Sequence, residues 1–507
     1  MNKLRMLTTA MVCLFSITQI FTQTISKNES KPQREMRGLW VSVIGNIDWP
    51  TVKGLSPSAL QAEATTILDR AASMGLNTIF LQVRPSCDVI YPSKIEPYSQ
   101  YVVGENFERL DSLANFDALK FWIEQAHHRG IELHAWINPF RVTPMLDYPC
   151  DTSHISQTHP EWVIKYAGKL YLDPGIPEAR RHVISVIDEI VNNYDIDGIH
   201  FDDYFYPYPV DNELFGDTAS YRLYNPNNLA INDWRRSNVD SVIFNVDSLI
   251  KSQKSWLAFG ISPFGVWRNS EDDPRGSETK AGVTDYDVLC ADVLKWISEG
   301  WIDYVVPQIY WHAGHKTVDF DTLQRWWSAQ STEHTRVFVG HALFKVNSGA
   351  SAWKNVNEMP MQIAKVRADE GIDGSVFFSY RQFNRDLYDL ESQMKSDIYA
   401  HRSLVPLVLD CDDDIDLEID KIGHIGTKIR WTLDGDDENL RFYVVYRYKK
   451  YEQFDPSDPR YIYAITDRNE IIAERLNDEE GRYVFRVAPI DKWRREHRLS
   501  RRVTIQY

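Results

Sequence analysis

A chain of 507 residues is longer than one ordinary domain, and its 43% hydrophobic and 25% charged content are those of a soluble globular protein. A formal charge of −16 with no Lys/Arg-rich block excludes nucleic acid and anionic membranes as partners. The sixteen Trp are either core filler or stacking platforms for flat faces such as sugar rings.

Lys3 and Arg5 open the chain, and an apolar run follows from Met6 to Phe21 before the sequence turns polar. This pattern predicts a secretory signal over residues 1–23, hence an exported protein (periplasmic, envelope-associated or secreted) with no membrane span after signal removal. Cys13 lies inside the run, but Val12 before it does not suit lipidation. Cys87, Cys150, Cys290 and Cys411 remain, widely spaced and without a C-x-x-C pair, which argues against a zinc site.

Short apolar runs then alternate with helical patterns. Met36–Val43 precedes a helix around Ser56–Met74, and Asn77–Arg84 leads into a long aromatic loop. A helix ended by Gly130 comes before Ile131–Asn138, and one with Pro177 in its first turn comes before Asp197–Asp203. Trp256–Phe264, Ile302–Trp311, Thr335–Phe344 and Gly374–Tyr380 follow, with helical segments between. Eight strands with helical crossovers over this span predict an α/β fold, a (β/α)8 TIM barrel over residues 24–400. The alternative, an open doubly wound sheet, usually carries a Gly-rich turn after its first strand, and none is present. After Ala400 an acidic stretch gives way to short β runs, predicting a small all-β sandwich over residues 401–507. Trp431, Tyr443 and Tyr483 stand where a fibronectin type III-like module keeps its core aromatics, and this tail is expected to contribute no catalytic group.

In such a barrel the chemistry sits at the C-terminal strand ends, and residues two apart on a strand share a face. Gln82 and Arg84 would share one face; so would His134, Trp136 and Asn138; Gly198, His200, Asp202 and Tyr204; and Gln308 and Tyr310. The opposite faces are apolar, so these polar ones are expected to point into the barrel top. Asp202 and Asp203 end the fourth strand side by side. Neighbouring carboxylates raise one another's pKa, which suits a glycosidase acid that must stay protonated near neutral pH. The plainer reading is a carboxylate that caps a turn or helix. Metal hydrolysis through His134, His200 and Asp202 lacks an H-x-H on the first strand and any H-E-x-x-H, and Ser-His-Asp catalysis lacks a G-x-S-x-G elbow. No metal or cofactor is called for.

The ordered series "REMRGLWVSV", "NTIFLQVRPSCDVIYPSKIEPYS", "LHAWINPFR", "YLDPGIPEARRHV", "DGIHFDDYFYP", "GISPFGVWRN", "VVPQIYW" and "GSVFFSY" resembles the glycosyl hydrolase-like 10 family, exported bacterial barrels of which some carry a fibronectin-like domain. The resemblance runs from about Arg34 to about Leu390. It implies hydrolysis of glycans, with peptidoglycan strands stripped of peptides as the substrate. A wider likeness reaches chitinase-type and poly-glucosamine hydrolase barrels. In the chitinase pattern D-x-x-D-x-D-x-E, Asp197 and Asp202 match, while His200 and Tyr204 replace the second Asp and the Glu. The "DD" of strand four looks instead like the poly-glucosamine hydrolases, where that element supplies the acid. The likeness implies that Gln308 and Tyr310 contact an acetamido group. Tyr204, Tyr206, Trp136, Trp267 and Trp311 are candidate sugar platforms; Arg84, Asn138, His200 and Asp173 are candidate subsite groups. The reading is an exported glycoside hydrolase acting on a β-linked N-acetylhexosamine polysaccharide or glycan strand. The alternative is a catalytically inactive carbohydrate-binding or cell-envelope scaffold protein, favoured by the missing Glu and the C-terminal module.

Overall fold

The computed structural model describes residues 32–107, 110–113, 115–407, 415–435, 437–475 and 481–507. The predicted signal segment and Cys411 lie outside the described residues. Eight strands form the barrel: β1 (Met36–Val41), β2 (Thr78–Arg84), β3 (Glu132–Ile137), β4 (Gly198–Phe201), β5 (Ala258–Ile261), β6 (Tyr304–Val305), β7 (Arg336–Val337 and Val339–Ala342) and β8 (Gly374–Phe378). Each of the eight apolar runs supplies one. All neighbours are parallel, from β1 through β6 in chain order. Strand β7 closes the ring: Arg336 and Val337 pair with β6, and after Phe338 the segment Val339–Ala342 pairs with β8, which returns to β1.

Helices α1 (Pro57–Ser73), α2 (Ala118–His127), α3 (Pro177–Asn193), α4 (Ile231–Gln253), α5 (Val293–Ser298), α6 (Phe320–Ser328) and α7 (Glu358–Arg367) fill the crossovers. Their starts follow from local chemistry: Ser56, Asp117, Asp292 and Asp319 accept a backbone N–H of the first turn of α1, α2, α5 and α6, and Pro177 occupies the first turn of α3. The crossover from β3 to α3 carries a three-stranded antiparallel sheet (Arg141–Thr143, Val163–Tyr166 and Lys169–Leu172).

Side-chain alternation splits the core in two. Leu39, Ile79, Leu81, Leu133 and Ile199 face the helices, whereas Trp40, Phe80, Trp136, Tyr304 and Phe338 fill the barrel itself. Glycine makes room for the inner rings. A Cβ at Gly260 would stand 2.1 Å from the Tyr304 ring, and one at Gly198 2.4 Å from His134 Nδ1. Trp49, Trp122, Trp234, Trp267, Trp296, Trp327 and Trp431 are fully buried, so much of the tryptophan content is core.

The tail forms two antiparallel sheets. One has three strands in the order β9 (Glu418–Ile425), β10 (Lys428–Asp434), β13 (Glu470–Ile472); the other has four in the order β12 (Ile462–Thr466), β11 (Leu440–Lys449), β14 (Arg482–Asp491), β15 (Val503–Gln506). Ile429, Trp431, Val445, Phe485 and Ile505 from both sheets make a shared core. This sandwich packs on the N-terminal end of the barrel. Arg441 bonds Asp195 (2.8 and 3.0 Å) and lies 3.0 Å from Asp197, and Arg494 binds Glu132 through two hydrogen bonds of 2.8 and 2.9 Å. Gly130, at φ 67°, lets the chains approach: a Cβ there would stand 2.5 Å from the Ile465 carbonyl. No described helix is long and apolar enough to cross a membrane.

Candidate active site

Strand β4 delivers two adjacent carboxylates to the C-terminal end of the barrel, and its neighbours hold each of them differently. Asp202 Oδ2 accepts from Trp136 Nε1 (3.1 Å) and Asn138 Nδ2 (2.8 Å), both at the end of β3, and Oδ1 accepts from the Tyr204 backbone N–H (3.2 Å). Asp203 Oδ1 accepts from Gln308 Nε2 (3.0 Å), just past β6, and Oδ2 is hydrogen-bonded to the Tyr208 hydroxyl. Gln308 is itself tied to β5, since Nε2 also reaches the Ser262 carbonyl at 3.1 Å. Four strand ends thus converge on the pair. Both carboxylates are nearly fully buried. Burial, with the repulsion of Asp203 against the pull of Arg141, pushes Asp202 up to about 6; burial likewise raises Asp203.

Half-buried aromatic rings surround them. Tyr204 lies under the Arg141 guanidinium (4.5 Å) and meets Tyr208 edge-on (5.7 Å between centroids). Phe264 packs between Tyr208 (6.2 Å) and Trp311 (5.5 Å), and Tyr310 lies against Phe344 (5.5 Å) and Phe378 (6.4 Å). A third carboxyl, Asp285, comes from the long β5–α5 connection. Its Oδ1 accepts from the Phe264 N–H (3.0 Å), its Oδ2 is buried with no hydrogen-bond partner, and burial with Asp203 nearby holds its pKa well above the ordinary range.

The structure brings together Asp202, Asp203, Trp136, Asn138, Tyr204 and Gln308, with Tyr310 and Trp311 on the adjoining strand end. Other expected residues lie elsewhere or are occupied. Arg84 does not share the face of Gln82, because a bulge shifts the register between them: Gln82 pairs with Trp136, but Arg84 with Ile137. All five of its N–H groups are engaged, by Glu96, by the carbonyls of Asn138 and Pro139 and by Cys87, and it is fully buried. His200 lies one layer below Asp202, fully buried, with both ring nitrogens bonded inside the barrel. Asp173 holds a turn, accepting from the Gly175 N–H at 2.8 Å and from the Ser220 hydroxyl at 2.5 Å. Trp267 and Tyr206 are buried and offer no sugar platform. Trp136 presents its N–H to Asp202 from the inner core rather than a ring to solvent. Asp197, the first Asp of the chitinase-like pattern, sits at the opposite end of the strand in the Arg441 ion pair, about 16 Å away at 3.3 Å per residue. Tyr208, Arg141 and Asp285 were not singled out from the sequence; only Tyr208, in the tyrosine-rich run after the carboxylates, carried a visible signal. Among the described residues no group of three His, Cys, Asp or Glu is arranged to hold a metal ion.

The model of the family described as glycosyl hydrolase-like 10 matches residues 35–356. The chain is 35% identical over 492 residues to glycosyl hydrolase YngK of Bacillus subtilis, covering 94% of each protein. It is 34% identical over 375 residues to glycosyl hydrolase DigH of Escherichia coli, covering 69% of this chain and 84% of that one. Among solved structures it is similar to the PgaB (BpsB) glycoside hydrolase domain of Bordetella bronchiseptica (12% identity, TM-score 0.46, 71% of this chain and 99% of that one), a likeness too slight to carry an assignment. A barrel whose top gathers buried carboxylates among aromatic rings, matched over most of its length by this family, leaves one conclusion: the chain belongs to the glycosyl hydrolase-like 10 family and is a glycoside hydrolase.

Proposed function

We propose that the enzyme cleaves a β-linked N-acetylhexosamine polymer, with peptide-free peptidoglycan strands as its substrate, and that Asp203 is the general acid with Asp202 as its anionic partner. The observation that carries the division of roles is the kind of partner each carboxyl has. All three groups on Asp202 can only donate there (an indole N–H, an amide NH2 and a backbone N–H), so they favour its anion. Asp203 Oδ2 meets a tyrosine hydroxyl, which can turn from donor to acceptor. Asp203 can therefore hold a proton and keep that hydrogen bond. A proton passed from Asp203 to the glycosidic oxygen lets the leaving group depart as an alcohol, and the Asp202 carboxylate stabilises the positive charge that develops on the sugar. Burial, chiefly, and the nearby Asp203 raise the Tyr310 phenol, which keeps it a neutral donor for an acetamido oxygen. The basic, then apolar N-terminal segment supports export, and the three-plus-four strand order of the tail supports a fibronectin type III-like module.

The test is Asp203→Asn and Asp202→Asn on peptide-free glycan strands and on an aryl glycoside with an activated leaving group. Loss of general acid help costs about 10²–10⁴-fold in kcat. Asp203→Asn should lose this on the polymer and recover much of it on the aryl glycoside, whose departure needs little protonation; Asp202→Asn should lose activity on both. Equal wild-type rates for both variants on the polymer would remove the pair from catalysis. Glycan binding without turnover by the wild type would defeat the substrate assignment.

A further inference from the structure

Below the two carboxylates, the barrel axis holds a single file of hydrogen-bonded polar groups whose proton positions can be read from one end. Trp40 Nε1–H can only donate, and it lies 3.2 Å from His200 Nε2. That nitrogen is therefore an acceptor, and the Ser262 hydroxyl, 3.1 Å from it, also lies 3.3 Å from the Phe201 carbonyl as a second acceptor. Burial pushes the His200 pKa far below its ordinary value, so the ring is neutral and its proton sits on Nδ1, 3.2 Å from the Tyr304 oxygen. Tyr304 accepts there and turns its own O–H to His134 Nδ1 at 2.7 Å. His134 carries its proton on Nε2, 3.4 Å from a Glu132 carboxylate oxygen. Glu132 ends the file as an anion: burial opposes this, but the two hydrogen bonds from Arg494 of the sandwich prevail. At the upper end the Ser262 carbonyl accepts from the Gln308 amide that also holds Asp203.

We infer that Arg494 is a positioning residue for the catalytic site, acting through the barrel axis on the segment that aims Gln308 at Asp203. Without the guanidinium, a buried Glu132 takes up a proton and becomes a donor. His134 Nε2 must then accept, its Nδ1–H turns to Tyr304, and the Tyr304 O–H turns to His200 Nδ1. The proton of His200 moves to Nε2, where it faces the indole N–H of Trp40. Two donors 3.2 Å apart repel, and the Ser262 hydroxyl must turn from the ring to the Phe201 carbonyl, 3.3 Å away. The reversed file leaves the buried Trp40 N–H facing a donor, so the His200 ring must move off it and push on Ser262, shifting the end of β5 and Gln308 with it. The C-terminal sandwich thus sets the geometry of a site at the far end of the barrel. The inference rests on Asp203 being the acid.

The experiment uses the full chain, with histidine ring ¹⁵N correlation spectra and steady-state kinetics on peptide-free glycan strands. In the wild type, His200 should be protonated on Nδ1 and His134 on Nε2. Arg494→Met should lose this pattern and lower kcat by between about 10- and 100-fold with KM unchanged, the cost of a small misalignment. Arg494→Lys, which keeps a cation on Glu132, should restore both. If Arg494→Met does not fold, Tyr304→Phe cuts the file at its middle and keeps the ring; it should lower kcat with KM unchanged. The opposite tautomers in the wild type, or a wild-type kcat in Arg494→Met or Tyr304→Phe, would overturn the inference. A wild type that turns over no glycan yet shows the expected tautomers would keep the hydrogen-bond file and defeat both Asp203 as acid and the positioning role that depends on it. Reversed tautomers in an active enzyme would defeat the inference alone.

Discussion

Asp203 differs from Asp202 by one reversible neighbour, and that neighbour can be tested. The Tyr208 hydroxyl donates to the Asp203 anion and so lowers its pKa against the burial that raises it. Tyr208→Phe removes a hydrogen bond from both forms of Asp203, and the one lost from the charged form is the stronger. A hydrogen bond to a charged group is worth about 1.5–3 kcal/mol and one between neutral groups about 0.5–1.5 kcal/mol, so the difference should let the acid hold its proton to a pH about one unit higher. The alkaline limb of the pH–rate profile should move up by that amount, with kcat at the optimum changed by far less than in Asp203→Asn. A limb that stays or moves down would mean that Asp203 is not the titrating acid. At this scale the sequence showed what strand periodicity can carry. Asp202, Asn138, Trp136 and Gln308 all fall on inward faces, as alternation requires. Arg84 was misplaced because a bulge is invisible to a count of two, and Asp285 was missed because a loop residue has no period to betray it.

At the level of elements, the sandwich and the barrel meet through charge as much as through apolar contact. Arg441 on β11 places its guanidinium against Asp197 just before β4, and His127 (2.8 Å) and the Leu133 N–H (2.7 Å) complete the Asp197 carboxylate. Removing one partner of a buried ion pair leaves the other charge without its counterion, at a cost of about 3–5 kcal/mol. Arg441→Met should therefore lower the free energy of unfolding by about that amount in urea titrations. Asp197→Asn in the same background should recover part of it, since the stranded charge is gone. If the single variant is as stable as the wild type, the Arg441 pair does not hold the two domains together, and the Arg494–Glu132 pair and apolar contact do. A chain ending at Ala400 loses Arg441 and Arg494 together, so it is expected to be far less stable than a self-sufficient barrel would be. None of this was legible in the sequence. The strands and helices declare themselves through local apolar spacing, whereas an arginine and the aspartate it meets 244 residues earlier share no local pattern.

Across the whole molecule, the buried carboxyls set how stability responds to pH. Burial pushes Asp48, Asp173 and Asp202 up to about 6, and Asp88 up to about 7. In the unfolded chain each returns to an ordinary value of about 3.9. Between about pH 4 and pH 7 these groups bind more protons in the folded state than in the unfolded one. His200, His341 and His154, which burial holds below the ordinary histidine value, act in the opposite sense below about pH 6.5. The raised carboxyls, Asp203, Asp247, Asp285 and Asp303 included, outnumber them, so stability should fall as pH rises through that window. The depressed carboxyls do not reverse the sign there. Glu96 is held at about 2 by Arg84 and His182, against its burial; it is ionised in both states above its unfolded value, so its contribution is constant from pH 5 to 7 and is lost only as pH drops toward 2. The formal charge of −16 acts in the same direction, since protonation at mildly acid pH relieves self-repulsion. The melting temperature should therefore be higher at pH 5 than at pH 7.5, and should collapse only in strong acid, where Glu96 and the carboxylates paired with Arg441 and Arg494 take up protons. Calorimetric scans in buffers of constant ionic strength measure this directly. A melting temperature that rises steadily from pH 5 to pH 7.5 would show that the raised carboxyls do not govern stability, and that the buried histidines held below their ordinary pKa, His200 and His341 among them, do.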